Sequence, residues 1–154
     1  MRALVSGATG MLGRSLVRRL LAGGVAVRAM VRPAAEAAGL ASSGAEVARV
    51  DVKDPAAIGR AVEGCQVVFH ALGQVRLRSV FSRSGDSGDM TEVNVDVTER
   101  LLEASLRAGV ARFLYVSSTA VYGLDAAVPV AESVAPSVKP KAKRNRSRPS
   151  VNGR

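Results

Sequence analysis

A doubly wound parallel α/β sheet of about five strands, followed by a disordered basic C-terminal tail, is the fold class this sequence predicts. Three observations carry it. Short β-rich runs alternate with helix-period patterns, the apolar residues are mostly aliphatic, and a glycine cluster separates the first strand from the first helix. The chain has 154 residues, 47% hydrophobic but only 3% aromatic, with no Trp. A core built from Val, Leu and Ala suits buried parallel strands covered by helices. The length is that of one domain able to bury a proper core.

The elements follow in order. Arg2 to Ser6 reads as a strand, and Met11 to Ala22 as an amphipathic helix with Leu12, Leu16 and Leu20 on one face. Val25 to Val31 is a second strand, stopped by Arg32-Pro33, and a weak Ala-rich helix leads to a third strand near Glu46 to Val50. Pro55 opens a helix to about Glu63, and Gln66 to His70 is the fourth strand. A polar loop from about Gly73 to Asp89 precedes a long helix from about Thr91 to Ala108, stopped at Gly109. Arg112 to Val116 is the fifth strand. Right-handed crossovers turn this alternation into an open parallel sheet. After Gly123 the periodicity fails, and Pro129, Pro136, Pro140 and Pro149 punctuate the remainder. Residues 1–133 are expected to form one domain and residues 134–154 a disordered tail, because the latter bury too little apolar surface to offset ordering.

Charge and cysteine narrow the function classes. The net charge is +9, but residues 139 to 154 hold seven basic residues and no acid. Removing those seven leaves +2 for residues 1 to 138, so the basicity belongs to the tail. Without stacking aromatics or a recognition motif, a nucleic-acid partner is not expected. No run approaches the roughly 18 apolar residues of a membrane span. The single cysteine, Cys65, excludes an internal disulfide framework and, with only His70 nearby, a metal site. It reads as a buried filler in a cytoplasmic protein.

The chemistry lies in Ser6-Gly7-Ala8-Thr9-Gly10-Met11-Leu12-Gly13, between the first strand and the first helix. A tight turn there needs glycine's backbone angles, and a dinucleotide pyrophosphate needs bare backbone to approach. Gly13 lets the helix pack closely, and the helix N-terminus offers unpaired N–H groups and a favourable dipole. Gly7, Thr9, Gly10, Met11, Leu12 and Gly13 are therefore the expected cofactor cradle of a Rossmann-like domain. The second strand ends Arg28-Ala29-Met30-Val31-Arg32, with no acid to bond the ribose hydroxyls. Arg32 suits a 2′-phosphate, so NADP is favoured over NAD, although a solvated arginine at a strand end has the same appearance.

With these residues in place, the chain resembles the extended short-chain dehydrogenase/reductase superfamily, which includes NAD-dependent epimerases, dehydratases and dihydroflavonol-type reductases. The resemblance runs from Arg2 to about Glu132, and its motifs occur in order. The Gly7, Gly10, Gly13 spacing is the superfamily's own. Asp51-Val52 matches the acidic-apolar pair that contacts the adenine ring in the family, while alone Asp51 reads equally as a turn or cap before Pro55. Val67-Val68-Phe69-His70-Ala71-Leu72-Gly73 matches the fourth-strand tip, placing Ala71, Leu72 and Gly73 against the cofactor. His70 reads as a packed, hydrogen-bonded residue. Asn94 matches the asparagine of the long helix, with Val97 where glycine is usual. Val116-Ser117-Ser118-Thr119-Ala120-Val121-Tyr122-Gly123 matches the stretch carrying the catalytic hydroxyl, which makes Ser118 that residue and Ser117 a cofactor contact; alone, these serines read as the start of a turn.

The resemblance implies hydride transfer between a nicotinamide and a small carbonyl or sugar-nucleotide substrate, with a homodimer among the possible assemblies. It also implies a tyrosine acting as general acid or base, assisted by a lysine four residues on. Four residues beyond Tyr115 stands Thr119, four beyond Tyr122 stands Ala126, and no later tyrosine exists. The Tyr-Lys pair is not encoded, and the abrupt switch to basic low-complexity sequence points to a truncated or frame-shifted chain. The alternatives are a non-catalytic dinucleotide-binding protein or, less favoured, a nucleic-acid binder acting through the tail.

Overall fold

The computed structural model describes residues 1–73, 92–122, 131 and 133–135. The polar loop beyond Gly73, the helix start at Thr91, Gly123 and the basic run from Lys139 lie outside the described residues. The chain divides into two compact units, Met1–Val116 and Ser117–Arg154.

The first unit is a five-stranded sheet in the order β3-β2-β1-β4-β5, with every neighbouring pair parallel. The strands are β1 (Arg2–Ser6), β2 (Ala26–Val31), β3 (Glu46–Arg49), β4 (Val67–His70) and β5 (Arg112–Tyr115). The connecting helices are α1 (Met11–Ala22), α2 (Ala38–Ser42), α3 (Pro55–Val62) and α4 (Val97–Arg107). Successive strand residues point to opposite faces, so each strand feeds two cores. Leu4, Met30 and Val68 pack with Ile58 of α3 and Leu101 of α4 on one face. Val5, Ala29 and Val31 pack with Val17 of α1 and Leu40 of α2 on the other. Covering helices on both faces make this the Rossmann-like doubly wound arrangement. Strand order reverses between β1 and β4, and the crevice at their C-terminal ends is where such sheets hold ligands.

Two elements differ from the sequence expectation. The buried residues of α1 are Gly13 and Val17, while Leu12 is half exposed and Leu16 and Leu20 only flank the core. Close packing at Gly13 turns the inward face away from the Leu12 stripe. The long helix also opens as a wide π turn over Glu92–Asp96 before becoming α-helical at Val97. Val97 itself is wholly buried. The stop at Gly109 is as expected: its φ of 68° is a left-handed cap, and the Val110 amide bonds back to the Ser105 carbonyl at 3.0 Å. No helix among the described residues is long and apolar enough to cross a membrane.

In the second unit, Thr119–Tyr122 forms a short 3-10 turn with the Val121 amide bonded to the Ser118 carbonyl at 3.1 Å. Ser117 and Ser118 are exposed.

Among the described residues the buried polar side chains are Ser6, Arg28, His70 and Ser105, and the two large ones, Arg28 and His70, lie between the sheet and the α3–α4 layer. Arg28 of β2 donates from Nη1 to the carbonyls of Ala61 and Glu63, both at 2.8 Å, and from Nε to Glu46 at 2.7 Å. It thus supplies a cation and two donors to the C-terminal carbonyls of α3, which the helix cannot satisfy internally. Cys65, buried at the same place, has its thiol pKa raised by burial, an effect opposed by the Arg28 charge. His70 ends β4 fully enclosed, with its ring 5.5 Å from that of Tyr115 and 5.9 Å from that of Phe113, centre to centre. Desolvation lowers its pKa from 6.5 to about 4.

Replacing the guanidinium in Arg28→Leu strands buried carbonyls and is expected to cost about 2 to 3 kcal/mol in urea unfolding, whereas an unchanged midpoint would contradict the capping role. For His70, the unfolded state takes up its proton near pH 6.5 and the folded state only near 4. Stability must then fall as pH drops through that window, by about 2 kcal/mol between pH ~7.5 and ~5. Urea midpoints across that range should show this slope, and His70→Asn should flatten it.

Candidate functional site

The loop after β1 meets the tip of β4 through backbone alone. Gly7 has φ of 69°, and a Cβ built there would stand 2.6 Å from the Ala71 carbonyl oxygen and 2.8 Å from the Leu72 nitrogen. Both the positive φ and the close approach require glycine. A Cβ on Gly13 would stand 2.1 Å from the Gly7 carbonyl oxygen and 2.8 Å from the Ala8 Cα. Gly13 therefore admits the loop that precedes it against the first turn of α1. Gly10 differs: among the described residues its Cβ position meets only the Gly7 carbonyl oxygen, at 3.2 Å. Backbone packed close by requires glycine at positions 7 and 13, whereas no described residue crowds position 10 in the same way.

The same turn presents donors. Gly10 is the N-cap of α1, no side chain caps the helix, and its first turn holds no acid. The amides there point outward with the favourable end of the helix dipole behind them. Arg14 folds back so that its Nε donates to the Thr9 carbonyl at 2.9 Å, holding a cation at the loop's rim. Met11 and Leu12 are exposed beside it. A bare backbone cradle, uncapped amides and a nearby cation fit an anionic pyrophosphate.

The remaining expected residues fall around this loop in three groups. Ala71 and Leu72 are half-buried where they touch Gly7, and Gly73 follows, with Asn94 Oδ1 3.8 Å from its Cβ position. Asp51 is exposed after β3, its Oδ1 accepting from the Lys53 amide at 2.9 Å and its carbonyl from the Asp54 amide at 3.0 Å. The cap of α3 is Asp54, which accepts from the Ala56 amide at 2.9 Å. Val52 is half-buried, and its carbonyl accepts from Arg100 Nη1 of α4 at 3.0 Å, which fixes the Asp51-Val52 turn. Arg32 is exposed just past β2, with its guanidinium making no hydrogen bond or ion pair among the described residues. The turn carrying it is held by Arg49, whose Nη1 donates to the carbonyls of Pro33 at 2.6 Å and Ala35 at 2.9 Å. Ser117 and Ser118 belong to the second unit, and their place in a site remains an expectation from the resemblance.

Arg14, Arg49, Arg100 and Ser6 carried no signal in the sequence, because an arginine or serine there is indistinguishable from a solvated one. His70 was legible as packed and hydrogen-bonded, but its partners were not. Its Nδ1 lies 2.6 Å from Ser6 Oγ and its Nε2 2.8 Å from Thr98 Oγ1, and the Thr98 hydroxyl donates to the Asn94 carbonyl at 3.0 Å. A hydroxyl has one proton. With Thr98 donating to Asn94, it must accept from Nε2–H, so Nδ1 is the bare nitrogen and accepts from Ser6.

Comparison with known proteins places this geometry. Residues 3–145 match the family described as NAD dependent epimerase/dehydratase. The chain is 38% identical over 125 residues to the sterol demethylase protein B of Methylococcus capsulatus, covering 81% of this chain and 37% of that protein. It therefore spans little more than a third of that relative's length. Among solved structures, a short-chain dehydrogenase/reductase superfamily protein from Agrobacterium tumefaciens with bound NAD is 32% identical with a TM-score of 0.66, covering 80% of this chain and 34% of that one. MoeE5 in complex with UDP-glucose and NAD superposes with a TM-score of 0.72 at 28% identity, over 88% of this chain and 42% of that one. The chain belongs to the NAD dependent epimerase/dehydratase family.

Proposed function

We propose that this chain binds a nicotinamide dinucleotide, with the pyrophosphate on the Gly7–Gly13 loop and a preference for NADP over NAD. The observation that carries this is Gly10, whose missing side chain leaves space at the loop that, among the described residues, only the Gly7 carbonyl approaches. The amides of the first turn of α1 hold the pyrophosphate, and Arg14 adds charge at its rim. Asp51 and Val52 border the adenine, while Ala71, Leu72, Gly73 and Asn94 line the path toward the nicotinamide. Arg32, exposed past β2 with no competing acid at the strand end, pairs with a 2′-phosphate. NAD is the alternative, favoured by the NAD bound in the A. tumefaciens protein and in MoeE5.

When bound, the nicotinamide supplies or accepts the hydride of the reaction. In this reading Ser118 hydrogen-bonds the oxygen of a carbonyl or sugar-nucleotide substrate, with Ser117 on the cofactor. The proton at that oxygen is the task of a tyrosine acidified by a neighbouring lysine, and this chain encodes no such pair. Cofactor binding without turnover is accordingly the expected behaviour of the chain alone.

A thermal shift comparison separates binding from folding. NADPH at roughly a hundred times Kd should stabilise the wild-type chain by about 2.7 kcal/mol. Gly10→Ala is expected to keep the ligand-free Tm within a few degrees and to lose most of this stabilisation. Gly13→Ala should lower the Tm itself, because its methyl meets backbone. Equal stabilisation of Gly10→Ala and wild type would remove the loop from the binding account. Arg32→Glu should lower the NADPH-to-NADH affinity ratio by at least about tenfold, and an unchanged ratio would remove Arg32.

A further inference from the structure

Three backbone segments line the proposed nucleotide site, and one side chain is adjacent to all of them. Ser6 immediately precedes Gly7 of the glycine loop. His70 immediately precedes Ala71 of the β4 tip. Asn94, in the π turn before α4, has its carbonyl bonded to Thr98 and its side chain close to Gly73. The imidazole joins these segments by two short bonds, to Ser6 Oγ at 2.6 Å and Thr98 Oγ1 at 2.8 Å. Ser6 and His70 are fully enclosed, so water does not compete for either ring nitrogen.

We propose that His70 is a positioning residue for the dinucleotide: its ring sets the spacing of the glycine loop, the β4 tip and the Asn94 turn, and thereby the affinity of the site. This rests on the dinucleotide-binding reading of that site. The ring suits the task because it offers a donor and an acceptor on one rigid plane. The chain has one direction, Ser6 O–H to Nδ1, Nε2–H to Thr98, and Thr98 O–H to the Asn94 carbonyl, and each group on it has a partner. The strands need none of this to pair. The β1 and β4 backbones are in register from Ala3 with Val67 to Ser6 with His70 through their own ladder bonds. What the ladder leaves open is how the segments leave the sheet, where the backbone bonds among the described residues are few. The Ala71 amide bonds to the Ser6 carbonyl at 3.2 Å, and the Gly10 amide to the Gly7 carbonyl at 2.9 Å. A site that needs a rigid backbone cradle gains affinity from having it set in advance.

The test uses the full chain and two readouts on Ser6→Ala, Thr98→Val and His70→Leu. Thr98→Val keeps the shape and removes the acceptor for Nε2–H. Ser6→Ala removes the donor to Nδ1. These two keep the assay interpretable should His70→Leu fail to fold. The first readout is Kd for NADPH by calorimetry, well below each variant's Tm. Weakening by about tenfold in the folded Ser6→Ala and Thr98→Val variants, with a double variant little worse than either, is the expected result. A lowered Tm with wild-type Kd would show a merely structural bond and overturn the proposal. The second readout needs no nucleotide. Amide hydrogen exchange should quicken at Gly10, Ala71 and Thr98 in the variants while β2 and β3 keep their protection. Unchanged exchange at all three amides would also overturn it. Should the wild-type chain bind neither NADPH nor NADH, the dinucleotide reading falls, and with it the affinity role assigned to His70.

Discussion

Gly7 and Ala71 touch backbone to backbone, and the rest of the crevice follows from that contact. A side chain at position 7 would overlap the carbonyl of the neighbouring strand's exit, so the loop after β1 lies this close to the β4 tip only with glycine there. Gly13 then brings the first turn of α1 against the same loop, and the helix amides end up facing the crevice between β1 and β4. The strand order makes this crevice, and the glycines keep it bare. Electrostatics act second: the uncapped helix end and Arg14 make the bare surface attractive to anions rather than merely open.

The two layers of the sheet carry different loads. The α1–α2 face is wholly aliphatic at its centre, and its role is to seat α1. The α3–α4 face buries an arginine and a histidine, each fully engaged. Arg28 closes the C-terminal end of α3, and His70 joins the exits of β1 and β4 to the turn before α4. Buried polar groups of this kind add little net stability but penalise any other arrangement heavily, because a partner lost in the interior is not replaced by water. His70 fixes positions at the C-terminal strand ends, beside the proposed site, and Arg28 does so at the opposite end of the sheet, where α3 leads into β4.

Much of this was legible in the residues. Strand and helix periods placed the five strands of the sheet and the helices Met11–Ala22 and Pro55–Val62 within a residue or two, because buried parallel strands and amphipathic helices leave strong patterns. The glycine spacing located the loop, since few other residues permit such backbone approaches. The inward face of α1 was less legible: Leu12 looked like core, but close packing at Gly13 rotates it outward, and a glycine contact has no apolar signal. The π turn at Glu92–Asp96 was hidden inside a continuous helical pattern. Arg49, Arg100 and the cap that Arg28 places on α3 were unreadable because the partners there are backbone carbonyls, which every residue has. The chain from Ser6 to Asn94 joins residues 64, 28 and 4 positions apart, and only the assembled sheet brings them together.

Isothermal titration of the folded wild-type chain with NADPH and with NADH measures most directly whether the bare crevice is a nucleotide cradle. Saturable one-to-one heat with both, tighter for NADPH, is what the glycine loop and Arg32 require. No heat from either nucleotide, with circular dichroism showing an intact fold, would leave the crevice an architectural feature of the sheet and nothing more.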